Sequence, residues 1–158
     1  MLRAITKWIL AWLAAAVLTA FLGSVFSSLR VIALLENIGE PVSFGETLSM
    51  VIYDLFYFAK ILYLVFVGLG LLIAFGMGSL LLLVLKLRSQ ALYRFIVFSV
   101  AGAVSMGVML WAMKNVFFGM QLIAGARDGT GIFLQILAGI LGGLVFALLT
   151  RPEPPKLN

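Results

Sequence analysis

The chain has 158 residues, 64% of them hydrophobic and 11% charged, with a net charge of +5. A soluble domain of this size is about half apolar and a quarter charged, and too much of its surface meets water to hide so apolar a composition. Lipid is therefore the expected solvent for most of the chain. Cysteine and histidine are absent, which removes disulfides, thiolate metal sites, the usual haem ligands and Ser-His hydrolysis.

Four stretches carry no charged residue: 8–29, 61–85, 95–113 and 129–150. About 20 apolar residues in a helix cross a hydrocarbon core of roughly 30 Å, so each is long enough to span. Lipid cannot satisfy peptide N–H and C=O groups, which restricts spans to helices or a closed barrel. Barrel strands alternate apolar and polar residues, whereas runs such as Leu80-Leu81-Leu82-Leu83-Val84-Leu85 are apolar throughout. The expectation is an all-α, four-transmembrane-helix bundle forming a single membrane domain over residues 1–158. The first apolar run exceeds the 7–15 residues of a signal-peptide core, so an uncleaved signal anchor is expected.

Charge placement sets the orientation. With the N-terminus inside, the inner segments carry Arg3, Lys7, Lys86, Arg88, Arg94, Arg151 and Lys156, and the outer ones hold Glu36, Glu40, Glu46, Asp54 and Asp128. Excess Lys and Arg marks the cytoplasmic side, so both termini are expected there. Trp8, Trp12, Tyr93 and Phe95 would form an inner aromatic belt. Tyr53, Phe56, Tyr57, Tyr63, Trp111, Phe117 and Phe118 would form the outer one.

The outer segment 30–60 reads as partly helical. Arg30 to Asn37 continues the first helix, Gly39 supplies a stop that tolerates positive φ, and Pro41 blocks continuation. Ser43-Phe44-Gly45-Glu46 fits a capping box opening a second helix. Segment 114–128 is apolar for a loop and is expected to lie at the interface or dip into the bundle. The Pro-rich tail 151–158 ends the last helix and is expected to be disordered.

In lipid, helices associate through close backbone approach at small residues. Each span has such residues four apart, which places them on one face. They are Ala16, Ala20, Ser24 and Ser28 in the first and Gly70, Ala74 and Gly78 in the second. The third has Ser99, Ala103 and Gly107, and the fourth Gly131, Gln135, Gly139, Gly143 and Ala147. Packing within the chain is the expected use of these stripes.

Polar residues that bear on function are few. No Asp, Glu, Lys or Arg lies mid-span, which argues against a proton-coupled exporter or a carrier of charged substrates. Gln135 is the most polar intramembrane residue, with an interhelical hydrogen bond as its plain role. The Gly-rich run 124–131 before the fourth span suits an anion at a helix N-terminus, or a turn capped by Asp128 or Thr130. The Lys-Ser/Thr of a P-loop is missing. Asp54, Lys60, Lys114, Arg127 and Asp128 flank spans on the outer side and are candidates for one ionic cluster. Within it an Arg127–Asp54 pair is expected to tie the two halves together.

In general form the chain resembles the small four-span proteins of bacterial inner membranes, and inner-membrane location is the expectation this implies. It lacks the membrane-embedded acid that small multidrug exporters carry in the first span. The expected function is that of a non-enzymatic accessory, assembly or scaffold component. The alternative is a small transporter or lipid-handling protein with a cavity lined by Gln135, Ser99, Ser105 or the outer cluster. Expected partners are membrane lipids and another membrane protein or a second copy. No nucleic acid, metal or cofactor is expected.

Overall fold

The computed structural model describes residues 2–56, 59–87, 90–116 and 123–151, with backbone alone at 2–4, 55–56 and 59–62. The described chain is helical, without strands: α1 (Leu2–Asn37), α2 (Phe44–Phe56), α3 (Ala59–Val84), α4 (Ala91–Val116), a 3-10 turn at Ala124–Ala126, and α5 (Gly129–Leu149). Four of these, α1, α3, α4 and α5, are long and apolar enough to cross a membrane. The protein is a multi-pass membrane bundle.

The four long helices form a ring. Helix α5 packs on α4 and α1, and α3 packs on α4 and α1. The tightest seam is α4 on α5, where glycine brings backbone onto backbone. A Cβ on Gly102 would run into the carbonyl of Gly139, and one on Gly139 into that of Gly102. A Cβ on Gly143 would meet the carbonyl of Phe98 and lie 2.9 Å from the Cα of Ser99. Beside this seam Phe75, Phe98 and Phe146 are fully buried. Phe75 stacks on Phe146 at 4.3 Å, and Phe98 meets Phe146 edge-on at 4.7 Å. Such pairs contribute about 0.5–1.5 kcal/mol beyond their area.

Helix α1 has 36 residues, about 54 Å at the α-helical rise, and outruns the other helices on the side where α5 begins. Its end is a Schellman turn. The Glu40 N–H donates to the Leu35 carbonyl and the Gly39 N–H to that of Glu36, with Gly39 at φ +90°. The capping box follows, with the Ser43 N–H donating to Glu46 at 2.8 Å and the Glu46 N–H to Ser43 Oγ at 3.3 Å. The Ser43 bonds hold the Glu46 carboxyl below the usual range. Helix α2 then runs back along α1, and Ser28 Oγ donates to Asp54 at 2.5 Å near its end. Helices α1 and α2 thus form an antiparallel helical hairpin. At the opposite end of the bundle α3 closes with the same kind of turn, with Lys86 at φ 56°.

Candidate functional site

Gln135 is the polar centre of the bundle. It is fully buried on α5. Its amide nitrogen donates to the Gly23 carbonyl of α1 at 2.7 Å, and its amide oxygen accepts from the Tyr63 hydroxyl of α3 at 2.6 Å. Gly23 is what admits this triad, since a Cβ there would strike the Tyr63 hydroxyl and lie 2.7 Å from the Gln135 oxygen. Three helices are thereby joined inside a region where an unmet polar group is costly. Tyr63, placed by sequence in the outer aromatic belt, is a core hydrogen-bond donor instead. Its neighbours Tyr57, Phe117 and Phe118 lie outside the described residues.

Among the described residues, the candidates expected on the outer side do not form one cluster. Asp54 is engaged by Ser28, and Asp128 by Arg30 of α1. Arg127 and Lys114 point to the exterior, and the side chain of Lys60 lies outside the described residues. The expected Arg127–Asp54 tie is therefore corrected to Arg30–Asp128. The physical reason is helical phase: Gly23, Ser27 and Arg30 share one face of α1, and that face looks at α5 and the turn before it. Ser27 Oγ accepts from the Gly125 N–H at 3.1 Å, one step above the Gln135–Gly23 bond. Arg30 and Ser27 were missed, Arg30 because it sits beyond the apolar run and reads as a plain flanking charge, and Ser28 was read only as a packing residue.

Asp128 is used twice. One carboxylate oxygen caps α5 by accepting from the Gly131 N–H at 2.8 Å, and the other accepts from Arg30 Nε at 2.9 Å. Arg30 and the Gly131 N–H hold its carboxyl below the usual aspartate range. The glycines of the 124–131 run pack rather than cradle. A Cβ on Gly125 would strike the backbone of Ser27, and one on Gly131 the carbonyl of Gly125. The N-terminus of α5 already holds an anion from its own chain.

Among the packing residues, Ala16, Ala20, Ser24 and Ser28 are buried on α1, as are Gly131, Gln135, Gly139, Gly143 and Ala147 on α5. On α3, Gly70 faces Ser105 and Gly78 faces Val97 and Phe98, with Ala74 half-buried between them. On α4 the contact ridge runs through Phe98, Gly102 and Met106. The expected Ser99, Ala103 and Gly107 stripe is displaced by one residue. Gly107 meets nothing within 4 Å, and Ser99 reaches α5 through its backbone. All of α4 is apolar enough for either phase, so small-residue spacing alone did not choose between them.

A cavity of about 310 Å³ lies at the end of the bundle where α1 starts and α5 finishes. All four long helices line it, through Trp8, Ser79, Leu80, Leu82, Leu83, Arg94, Phe98, Phe146 and Thr150. Gln135, Ser99 and Ser105, expected to line any cavity, do not line this one. Arg94, expected as one of the topology charges at the inner side, is only 5% exposed. One of its terminal nitrogens donates to the carbonyl of Thr150 at 2.8 Å and to its Oγ1 at 2.7 Å. Trp8 Nε1 reaches Ser79 Oγ at 3.4 Å. Among the described residues no three His, Cys, Asp or Glu side chains converge on a metal position. No protein-family model, curated protein or solved structure matches the chain. The fold and these contacts define the class, a four-span α-helical membrane protein with a helical hairpin at one end and a cation-lined cavity at the other.

Proposed function

We propose that the protein is a non-enzymatic assembly or scaffold component of a cytoplasmic membrane, with both termini inside and the α1–α2 hairpin outside. The basic residues Lys7, Lys86, Arg94 and Arg151 gather at the end where α1 starts, as the cytoplasmic side requires. The observation that carries the function is the hairpin tip. Helix α5, with 21 residues, matches the hydrocarbon core at about 31 Å, so its cap Asp128 marks the outer boundary. Arg30 pairs with Asp128 at that level, and α1 continues seven residues farther, roughly 10 Å. A headgroup layer is about 5–7 Å deep, which leaves the turn at Ile38–Phe44 in water.

That turn exposes Ile38 by 75% and Phe44 by 82%. Glu36, Glu40 and Glu46 flank them in sequence, all exposed. Thr47, Val51 and Asp54 are the half-buried face of α2, while Phe44, Leu48 and Ile52 form its outward stripe. Two exposed apolar side chains with carboxylates beside them in sequence suit a partner with an apolar slot edged by Lys or Arg. An anionic lipid surface would repel them. The occupant is a protein on the outer side of the membrane, and the hairpin is the docking element.

The test is a photo-reactive phenylalanine analogue at Phe44, irradiated in intact membranes, with the same probe at lipid-facing Phe133 as control. One discrete protein adduct is expected at position 44 and none at 133. Replacing Glu36, Glu40 and Glu46 by lysine should abolish it. Adducts only to lipid or to a second copy, or an adduct indifferent to charge reversal, would contradict the proposal.

A further inference from the structure

We propose that the cavity at the end where α1 starts binds the polar end of a neutral membrane lipid through a carbonyl oxygen. Trp8 Nε1 and Ser79 Oγ are the donors. Depth is the first argument. Thr150 follows the last residue of α5, so it lies about one hydrocarbon thickness from Asp128, at the opposite boundary of the core. The cavity it lines is therefore at the level where lipid tails give way to their first polar groups. Leu80 and Leu83 also line it, and both are exposed on the lipid-facing surface of α3. The way in is from the bilayer.

The donors set the chemistry. An indole N–H can only donate, and a serine hydroxyl can turn its proton toward whichever acceptor is offered. The Trp8–Ser79 contact at 3.4 Å is longer than an ordinary N–H···O bond of about 2.7–3.2 Å. The two donors are thus held side by side at the wall by a weak bond that a better acceptor replaces. A carbonyl oxygen has two lone pairs, accepts from both, and brings no donor of its own to satisfy. Arg94 is engaged inside the protein: it donates to the Thr150 carbonyl and Oγ1 and lies 5.6 Å from the centre of the Phe98 ring. A neutral ligand makes no demand on that cation. The remaining walls, Phe98, Phe146, Leu82 and the Trp8 ring, are apolar and suit the body of such a molecule. A volume of about 310 Å³ is at the low end for small-molecule sites. It admits the polar end of a lipid while the tail stays in the bilayer against Leu80 and Leu83.

Neutral lipid carbonyls have two sources, the ring of a lipid quinone and the ester of a glycerolipid. They are separated by thermal unfolding of the purified full chain in mild detergent with three additions: a short-tailed ubiquinone, dioleoylglycerol, or squalene, which has no oxygen. Ligand that binds only the folded state raises Tm with concentration. At least one of the two carbonyl lipids is expected to raise it, and squalene to leave it unchanged. A rise with ubiquinone alone assigns the site to a ring carbonyl, and one with dioleoylglycerol alone to an ester. Two variants leave Arg94 and Thr150 in place. Trp8→Phe keeps a ring against Phe146 and removes the N–H, and it should weaken binding about two- to tenfold, the loss of one neutral hydrogen bond. Ser79→Leu fills the cavity and should abolish the shift. A shift with squalene equal to that with the carbonyl lipids, no shift with either carbonyl lipid, or an undiminished shift in either variant would overturn the proposal.

Discussion

Arg30 and Asp128 are far apart in sequence and meet where α1 leaves the level of α5, with side chains 20% and 35% exposed. The pair ties the base of the α1–α2 hairpin to the first turn of the last span. Asp128 also caps that span, so its two oxygens serve two different structures. Asparagine caps a helix about as well as aspartate but carries no charge. Asp128→Asn should therefore lower Tm less than Asp128→Ala, and adding Arg30→Gln to Asp128→Asn should lower it little further. Full additivity of Arg30→Gln and Asp128→Asn would show that the ion pair contributes nothing.

The same carboxylate gives a pH dependence whose sign is fixed. Arg30 first, then the Gly131 N–H, hold its folded pKa below the unfolded value, which is about 3.9 for a free aspartate. Its stabilisation is complete above that value and is lost as pH falls through the folded pKa. Wild type should lose stability between pH 4 and lower values faster than Asp128→Asn, measured by thermal unfolding in detergent. Parallel curves would remove Asp128 from the acid transition.

Gln135 and Tyr63 should behave as a coupled pair. Interhelical hydrogen bonds in membranes average about 0.6 kcal/mol and reach about 1.7 kcal/mol. Tyr63→Phe and Gln135→Leu should each cost an amount in that range. The double variant should cost less than their sum, because the second change removes a group already left without its partner. A double-variant cycle scored by unfolding in detergent measures the difference.

The α4–α5 seam gives a contrast between glycines. Gly139→Leu and Gly143→Leu force apart two backbones that cannot yield as side chains do, and a packed interior charges about 1–3 kcal/mol for such a change. Gly107 opens on empty space, so Gly107→Leu should stay within about 0.5 kcal/mol. Equal losses at all three positions would mean that the seam is not where it is placed here.

Composition and charge-free run length were enough to read four spans, and Gly39, Pro41, Ser43 and Glu46 were enough to read the end of α1 and the start of α2, though not that α2 folds back along α1. These signals are local, because caps and stops act within a few residues. The faces of the spans were less legible. In water an apolar stripe marks the core, but in lipid both the core and the outer face are apolar. Phe146 is buried and Phe133 is 61% exposed on the same helix, and nothing in their residue type separates them. The stripe on α4 was misplaced by one residue for this reason. Gln135 was legible because a carboxamide has no reason to face lipid. The burial of Arg94 was not legible, because a cation at the end of a span looks the same whether it faces water or a cavity.

The arrangement as a whole rests on topology: an even number of spans, with the hairpin and the two termini on opposite sides. The direct measurement is a pair of compartment-sensitive reporters, one fused after Asn158 and one inserted beside Gly39, in the exposed turn between α1 and α2. The account predicts a cytoplasmic signal from Asn158 and an outside signal from Gly39. An outside signal from Asn158, or both reporters on the same side, would contradict it.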